Sequence, residues 1–265
     1  MVTYPQILAK NPFKSYIYGM TPELKEQVEW YFKEEFVDAL FEKLTEGHNI
    51  ASFNVNPFLI TALSKGVLGE TTPTNMAKSL LYPRVFGTSL STTFGDKFQK
   101  FCIHVMGAQA SSTPGMDLQF QDKVDGRLLL MQAKSGPNTI NSGDVQPIIN
   151  DMKSAYRLLV QNRTTNLPTF AIGVFYGTHA DISGHYKKIE ASSVGAQLNI
   201  PILVGKEFWY RLSGDENFYA GLIATFFELF EKADYQALFK ADVNNLAGEL
   251  EKKYFTKGAF DVSKI

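Results

Sequence analysis

Apolar residues recur with a helical period towards both ends of the chain. After Thr21-Pro22-Glu23, which is a typical helix start, one apolar stripe continues to about Thr45 and predicts a long helix ending at Gly47. Residues 215–256 carry a second helical pattern, with a break predicted near Ala233-Asp234. Both ends are therefore expected to be helical, without an internal repeat.

Shorter helices are predicted between these ends. One follows Pro57, and another runs from Pro73 to about Leu81, where Tyr82-Pro83 ends it. The next is expected from Phe94 to Met106 with Thr92 or Thr93 as its cap, and a further one from about Asp144 to Asn162.

Strand patterns occupy the middle of the chain. Thr169–Tyr176 is almost wholly apolar and rich in β-formers, which is typical of a buried central strand. Ile200–Gly205 predicts one more strand, at a sheet edge because Pro201 cannot donate a backbone hydrogen bond. A helix is expected from Glu207 to Leu212.

A hairpin is predicted between these helices. Leu118–Phe120 and Arg127–Met131 are short apolar-rich segments, and Asp125-Gly126 lies between them. This dipeptide favours a two-residue type I′ turn, because both central residues then need a positive φ. Such a turn places Val124 opposite Arg127.

The predicted register gathers polar side chains at one end of the hairpin. Asp117 falls opposite Lys134, and Gln119 opposite Gln132. Side chains alternate along a strand, so Gln132 and Lys134 share one face while Ala133 turns to the other. A carboxylate, an amide and an ammonium at one place indicate a chemical site rather than core packing.

This constellation resembles the active-site signature of the PD-(D/E)xK nuclease superfamily. The resemblance implies that Asp117 binds Mg²⁺, that Lys134 positions or activates the attacking water, and that Ala133 supplies a metal-binding carbonyl. Gln132 stands where Glu or Asp is usual in that signature. Its amide oxygen can coordinate a metal but brings no charge, so another carboxylate would have to compensate, with Asp96, Asp144 and Glu70 as the alternatives.

Further segments resemble type II restriction endonucleases, nearest to those that cut RGGNCCY. The similarity covers roughly residues 50–215 in patches. It implies cleavage of double-stranded DNA at a short palindromic site by a homodimer, with a cognate DNA methyltransferase in the same system. The segments are Asn56-Pro57-Phe58, Leu81–Gly87, Gly173–Gly177 and Gly205–Trp209.

The predicted element order agrees with this resemblance. From Phe94 onward it is an α/β arrangement close to the αβββαβ restriction-endonuclease-like core, a mixed central sheet flanked by helices, provided that a short strand lies near Gln109–Ser112. We expect a single domain with a helical region 1–92, a catalytic core 93–212 and C-terminal helices 213–265.

Auxiliary and DNA-binding residues are implied by their positions. Superfamily members carry an acidic residue on the helix before the hairpin, where Gln99 matches best and Asp96 is the charged alternative. Arg84, expected in a loop-like setting after Pro83, is a candidate contact to phosphate or a base edge, or a plain surface charge. The loop after Lys134 suits phosphate contacts, although it also fits a simple connection. Its candidate residues are Ser135, Gly136, Asn138, Thr139, Asn141 and Ser142.

Composition narrows the classes further. The net charge of −1 argues against a generally basic nucleic-acid coat protein but permits a local basic cleft. The single cysteine, Cys102, fits a reducing compartment and is expected to be buried. No signal peptide and no apolar run long enough to span a bilayer is visible, so we expect a cytoplasmic protein that uses no membrane. The resemblance to restriction endonucleases implies that its source is prokaryotic.

Three alternatives remain open at this point. The chain could be another nuclease of the superfamily, or a catalytically weakened relative that binds DNA, which Gln132 would explain. It could also be a small-molecule α/β protein in which Asp117 and Lys134 form only a cross-strand ion pair, worth about 0.2–1 kcal/mol.

Overall fold

The computed structural model describes residues 19–162, 164–192, 197–233 and 235–264. The chain divides into two compact units. The described residues up to Tyr31 form the first unit together with Phe94–Glu228, and the second consists of Phe32–Thr93 and the described residues from Leu229 onward. The single-domain organisation proposed above stays a prediction.

A five-stranded mixed sheet forms the centre of the first unit. Its strands occur in the spatial order β1-β2-β3-β4-β5, where the first three are antiparallel and the last two continue parallel to β3. Edge position is confirmed for β5, which directly follows Pro201. The strands are β1 (Gln109–Ala110), β2 (Leu118–Gln121), β3 (Leu128–Lys134), β4 (Thr169–Val174) and β5 (Ile202–Val204).

Ten α-helices are described. They are α1 (Pro22–Phe32), α2 (Ala39–Glu46), α3 (Pro57–Thr61), α4 (Pro73–Tyr82), α5 (Leu90–His104), α6 (Val145–Gln161), α7 (Gly184–Glu190), α8 (Lys206–Ser213), α9 (Phe218–Lys232) and α10 (Tyr235–Tyr254). The order α5, β1, β2, β3, α6, β4 is the predicted αβββαβ core, and the α/β restriction-endonuclease-like fold class is confirmed.

Several short elements join these helices. Wider π-helical segments, Lys33–Asp38, Ala62–Val67 and Pro83–Ser89, follow α1, α3 and α4. A small hairpin closes the second unit, with β6 (Phe255–Thr256) paired to β7 (Ala259–Phe260). No helix within the described ranges is both long and apolar enough to cross a membrane.

The helix boundaries correct one expectation and confirm another. The helix predicted to begin at Phe94 begins at Leu90, and the side chains of its predicted caps, Thr92 and Thr93, lie outside the described residues. The break predicted near Ala233 is confirmed by α9 and α10, whereas Asp234 itself lies outside the described residues.

The two faces of the sheet carry different partners. Leu130, Ile172 and Val204 belong to a buried cluster that also contains Ile148 and Met152 of α6. This face is therefore covered by α6, and α7 contributes Tyr186 and Ile189 to the same cluster.

The opposite face packs against aromatic rings from α5 and α8. A Cβ on Gly173 would lie 2.8 Å from the ring of Phe208 and 2.9 Å from Sδ of Met131, so only glycine fits there. Phe98 of α5 lies 5.9 Å from Trp209 of α8, measured between ring centroids. Buried Cys102 belongs to α5, and burial raises the pKa of its thiol.

Candidate active site

The predicted polar constellation lies where β2 ends beside β3. The backbone N–H of Asp117 donates to the carbonyl of Met131 at 2.8 Å. The backbone N–H of Ala133 donates to Oδ2 of Asp117, also at 2.8 Å. The carboxylate therefore takes the place of a backbone acceptor at the point where the regular ladder stops.

The structure corrects the predicted hairpin register. Leu118 pairs with Met131 and Gln121 with Leu128, which shifts the pairing by two residues from the expected one. Asp117 consequently falls opposite Gln132 instead of Lys134, and Gln119 pairs with Leu130 instead of Gln132.

The cause of this shift is a longer connection between the strands. The backbone N–H of Asp122 donates to the carbonyl of Arg127, so four residues loop out in place of the predicted two-residue turn. Oδ1 of Asp122 accepts from the backbone N–H of Val124, and Gly126 supplies the positive φ of 77°. Asp commonly organises turns through such a local side-chain hydrogen bond.

The shift leaves the constellation on one face. Side chains repeat along a strand with a period of two, so a slip of two residues preserves the face of every side chain. Asp117, Gln132 and Lys134 therefore share the face of β2 and β3 that also carries Leu130 and is covered by α6.

Gln132 has an unsatisfied polar atom. Its side chain is 7 % exposed, and Nε2 donates to the carbonyl of Gly115 at 2.7 Å. Because that carbonyl can only accept, it fixes the orientation of the amide. Oε1 then has no hydrogen-bond partner among the described residues, an arrangement that typically costs about 1–3 kcal/mol.

The oxygen atoms of this site are of the type that binds a hard divalent cation. Mg²⁺ prefers oxygen ligands, and the site offers the Asp117 carboxylate and the buried Oε1 of Gln132. The N–H of Ala133 points towards Asp117, and the carbonyl of the same strand residue points to the same side. Within the described part of the chain, no group of three or more His, Cys, Asp or Glu residues could hold a metal ion.

Lys134 ends β3 on the same face as Gln132. Its carbonyl accepts from the backbone N–H of Phe175 at 3.1 Å, which fixes the backbone against the end of β4. Its side chain is partly buried and makes no ion pair within the described ranges.

Hydrogen bonds fix the backbone of the loop after Lys134. The carbonyl of Gly136 accepts from the hydroxyls of Tyr186 at 2.8 Å and Thr139 at 2.9 Å. The backbone N–H of Ser183 donates to the carbonyl of Pro137 at 3.0 Å. Burial raises the pKa of the Tyr186 phenol to about 12, which keeps this hydroxyl a donor.

The predicted DNA-contacting residues of this loop differ in exposure. Gly136 is buried beneath the ring of Tyr176, which a side chain at this position would have to displace. Ser135 is partly buried. The remaining predicted residues of the loop, Asn138, Thr139, Asn141 and Ser142, are exposed.

The auxiliary candidates lie on α5. Asp96 is exposed, whereas Gln99 is partly buried and lies one helical turn after Gly95, whose Cβ would contact Ser135. Because α5 packs on the aromatic face of the sheet, its residues approach β3 from the side opposite to Gln132. Their auxiliary role stays a prediction.

Arg84 does not lie in a loop. It is exposed in the π-helical segment Pro83–Ser89 of the second unit, which corrects its predicted setting. Pro83 was expected to end the helix because it lacks an N–H. Its backbone instead keeps helical angles, φ −65° and ψ −35°, and the helix continues in a wider form.

Two of the acids that were expected to make up for the neutral Gln132 lie in other environments. Oδ2 of Asp144 accepts from the backbone N–H of Asn141 at 2.9 Å and organises the loop before α6. Glu70 belongs to the second unit. The structure instead brings Asp151 of α6 against Gly115, a neighbour that the sequence did not indicate.

The chain is similar to a known protein family. A family profile described as type II restriction endonuclease EcoO109I matches residues 27–234. The match covers most of the chain and includes the whole five-stranded sheet together with Asp117, Gln132 and Lys134. No curated protein matches the chain.

Proposed function

The chain belongs to the type II restriction endonuclease family described by EcoO109I, and we propose that it cuts both strands of DNA at a short palindromic site of the GGNCC type with Mg²⁺ as cofactor. Family membership makes it a site-specific deoxyribonuclease. The metal cofactor, the DNA recognition site and the roles of individual residues are what we propose beyond family membership.

One observation carries the proposed chemistry. Asp117, Gln132 and Lys134 share one face at the end of a hairpin, and the buried Oε1 of Gln132 lacks a hydrogen-bond partner among the described residues. Asp117, Gln132 and the carbonyl of Ala133 would hold the cation. When bound, Mg²⁺ supplies charge neutralisation at the phosphate and acidifies a water molecule.

Lys134 would act on the reacting groups. Its ammonium lies at the end of the strand that carries Gln132 and makes no ion pair within the described ranges. A positive charge held there steadies the attacking water and the negative charge that develops on the phosphate.

Polar and charged groups outside this centre would hold the DNA. The exposed residues of the loop after β3 offer hydroxyl and amide groups for phosphate oxygens. Arg84 offers a guanidinium that can bind phosphate or guanine. Ser135 and Gly136, closest to Lys134, would contribute backbone groups.

A palindromic site implies two copies of the chain. A homodimer with a two-fold axis presents two identical active sites to the two strands of the duplex. Host DNA that contains the same site needs protection, so a cognate DNA methyltransferase is the expected partner.

Gln132 favours one alternative. A neutral amide where an acidic ligand is usual weakens the hold on a cation, so the chain could have become a DNA-binding relative with little cleavage. This alternative and the main proposal differ in whether DNA is cut.

Plasmid DNA incubated with the protein and Mg²⁺ tests the proposal, with EDTA as the control. Discrete fragments are expected, and sequencing their ends gives the site and the cut position. A smear would indicate another kind of nuclease, and binding without cutting would favour the weakened relative. If the protein neither binds nor cuts DNA, both the nuclease proposal and the DNA-binding alternative are wrong.

A further inference from the structure

The proposed metal site is short of negative charge. Asp117 is its one carboxylate, since Gln132 contributes a neutral amide. The helix that covers this face of the sheet is α6, because Ile148 and Met152 pack in one cluster with Leu130. A second carboxylate on this face of the sheet would therefore come from α6.

Asp151 is the acidic residue of α6 that approaches the site. A Cβ built on Gly115 would lie 2.6 Å from Cβ of Asp151 and 2.9 Å from its Oδ2. The carbonyl of Gly115 in turn accepts the hydrogen bond from Nε2 of Gln132 at 2.7 Å. Gly115 is thus a close neighbour of both Asp151 and Gln132.

The Asp151 carboxylate has no hydrogen-bond donor and no positively charged partner among the described residues. It is partly buried and makes no hydrogen bond or ion pair within the described ranges. The buried acids among the described residues do have such partners, since Asp122 binds Arg211 and Asp242 binds His48. A cation bound beside Asp151 would supply the partner that this partly buried carboxylate lacks among the described residues.

A second observation points to the same cation. Oε1 of Gln132 is buried, unpartnered among the described residues, and on the face that α6 covers. Neither Oε1 of Gln132 nor the Asp151 carboxylate has a hydrogen-bond donor among the described residues. One divalent cation could bind both.

We infer that Asp151 is the second carboxylate of the metal site and supplies the charge that Gln132 lacks, an inference that rests on the proposed function. Two carboxylates then balance the charge of Mg²⁺. One of them comes from the hairpin and the other from the following helix. Mg²⁺ is commonly held by one or two carboxylates and retains several waters.

Binding of Mn²⁺ to the full chain, followed by calorimetry in the absence of DNA, tests this inference. Asp151→Asn is expected to weaken binding about 10-fold or more, as Asp117→Asn should. Glu190→Gln removes an exposed acid from α7 and serves as the control that should bind like the wild type. Thermal melting of each variant shows that the fold is kept.

A double variant separates lost charge from lost structure. Adding Gln132→Glu to Asp151→Asn returns one carboxylate to the site and should restore most of the Mn²⁺ affinity. A double variant that binds as weakly as Asp151→Asn would overturn the inference. So would wild-type affinity in Asp151→Asn while Asp117→Asn binds weakly.

The same titration distinguishes failure of the proposed function from failure of the inference about Asp151. If the wild-type chain binds no divalent cation at all, the proposed metal-dependent function fails. If the wild type binds and only Asp117→Asn loses affinity, the proposed function stands and the role of Asp151 falls.

Discussion

Oδ2 of Asp117 accepts a hydrogen bond from the backbone N–H of Ala133 at 2.8 Å. This contact joins a side chain before β2 to the backbone of β3, beyond the last regular pair of the ladder. It leaves the second oxygen of the carboxylate for another ligand. The acid is thereby fixed beside Gln132 by a bond that does not depend on a cofactor.

Lys134→Ala should abolish cutting and leave the fold intact. The partly buried ammonium would serve the reaction rather than an ion pair, so its loss should lower the rate of cleavage by about 100-fold or more. Lys188→Ala, which removes an exposed ammonium from α7, should cut normally. The rate of plasmid cleavage and the melting temperature measure both effects, and an active Lys134→Ala variant would exclude Lys134 from the mechanism.

Gly115→Ala should weaken metal binding through Asp151. Gly115 has φ 78°, and its new Cβ would displace the Asp151 side chain. Gly126→Ala is the matched control, since Gly126 has φ 77° and nothing within 4 Å of its Cβ position. Both variants should lose about 1–2 kcal/mol of unfolding free energy from the left-handed backbone. Equal Mn²⁺ affinities of the two variants would contradict the prediction.

Arg211→Met should destabilise the loop between β2 and β3. Nη1 of Arg211 lies 2.6 Å from Oδ2 of Asp122 and 2.9 Å from Oδ2 of Asp125. Asp122 is 1 % exposed, so the variant leaves a buried carboxylate unpaired, at a cost of about 3 kcal/mol. Chemical denaturation measures the loss.

Lys206→Met on the same helix provides the comparison. Lys206 pairs with Glu216 at 3.7 Å, and both side chains are largely exposed. Exposed pairs contribute little, so this variant should unfold close to the wild type. A similar loss in both variants would show that burial of Asp122 is not the cause.

Tyr186 should make stability fall at alkaline pH. Burial raises its pKa to about 12 in the folded chain, against about 10 for an unperturbed tyrosine. Between these values the unfolded chain loses a proton that the folded chain keeps. The free energy of unfolding is therefore undiminished below pH of about 10 and declines as the pH rises towards 12.

Tyr186→Phe measures this contribution. The variant loses the hydrogen bond to the Gly136 carbonyl, about 1 kcal/mol at neutral pH, and should show a shallower alkaline decline. Some decline should remain, because burial also raises the pKa of Tyr235 to about 12. Identical slopes in denaturation between pH 9 and pH 11 would contradict the assignment.

Elements with a strong local pattern were predictable from the sequence. The apolar run at Thr169 predicted the central strand β4, and Pro201 correctly marked the edge position of β5. The hairpin was predicted, but its register was not. Its loop is organised by the Asp122 side chain and clamped by Arg211, which is distant in sequence, whereas turn rules consider only the residues between the strands.

The prediction that Asp117, Gln132 and Lys134 share one face of the sheet is correct although the predicted register is wrong. A slip of one residue would have turned Asp117 to the other face, whereas the observed slip of two did not. Asp151 could not be found in the same way. An acid on an amphipathic helix looks like a solvated surface residue until the packing of that helix on the sheet is known.

The loop after Lys134 is ordered before any ligand arrives. Hydrogen bonds from Tyr186 and Ser183 hold its backbone at Gly136 and Pro137. A prearranged surface gives up little conformational freedom when a partner docks, so more of the contact energy remains as affinity. Discrimination between DNA sequences would then depend on how well the duplex adapts to a rigid edge, which makes deformability of the DNA itself part of the recognition.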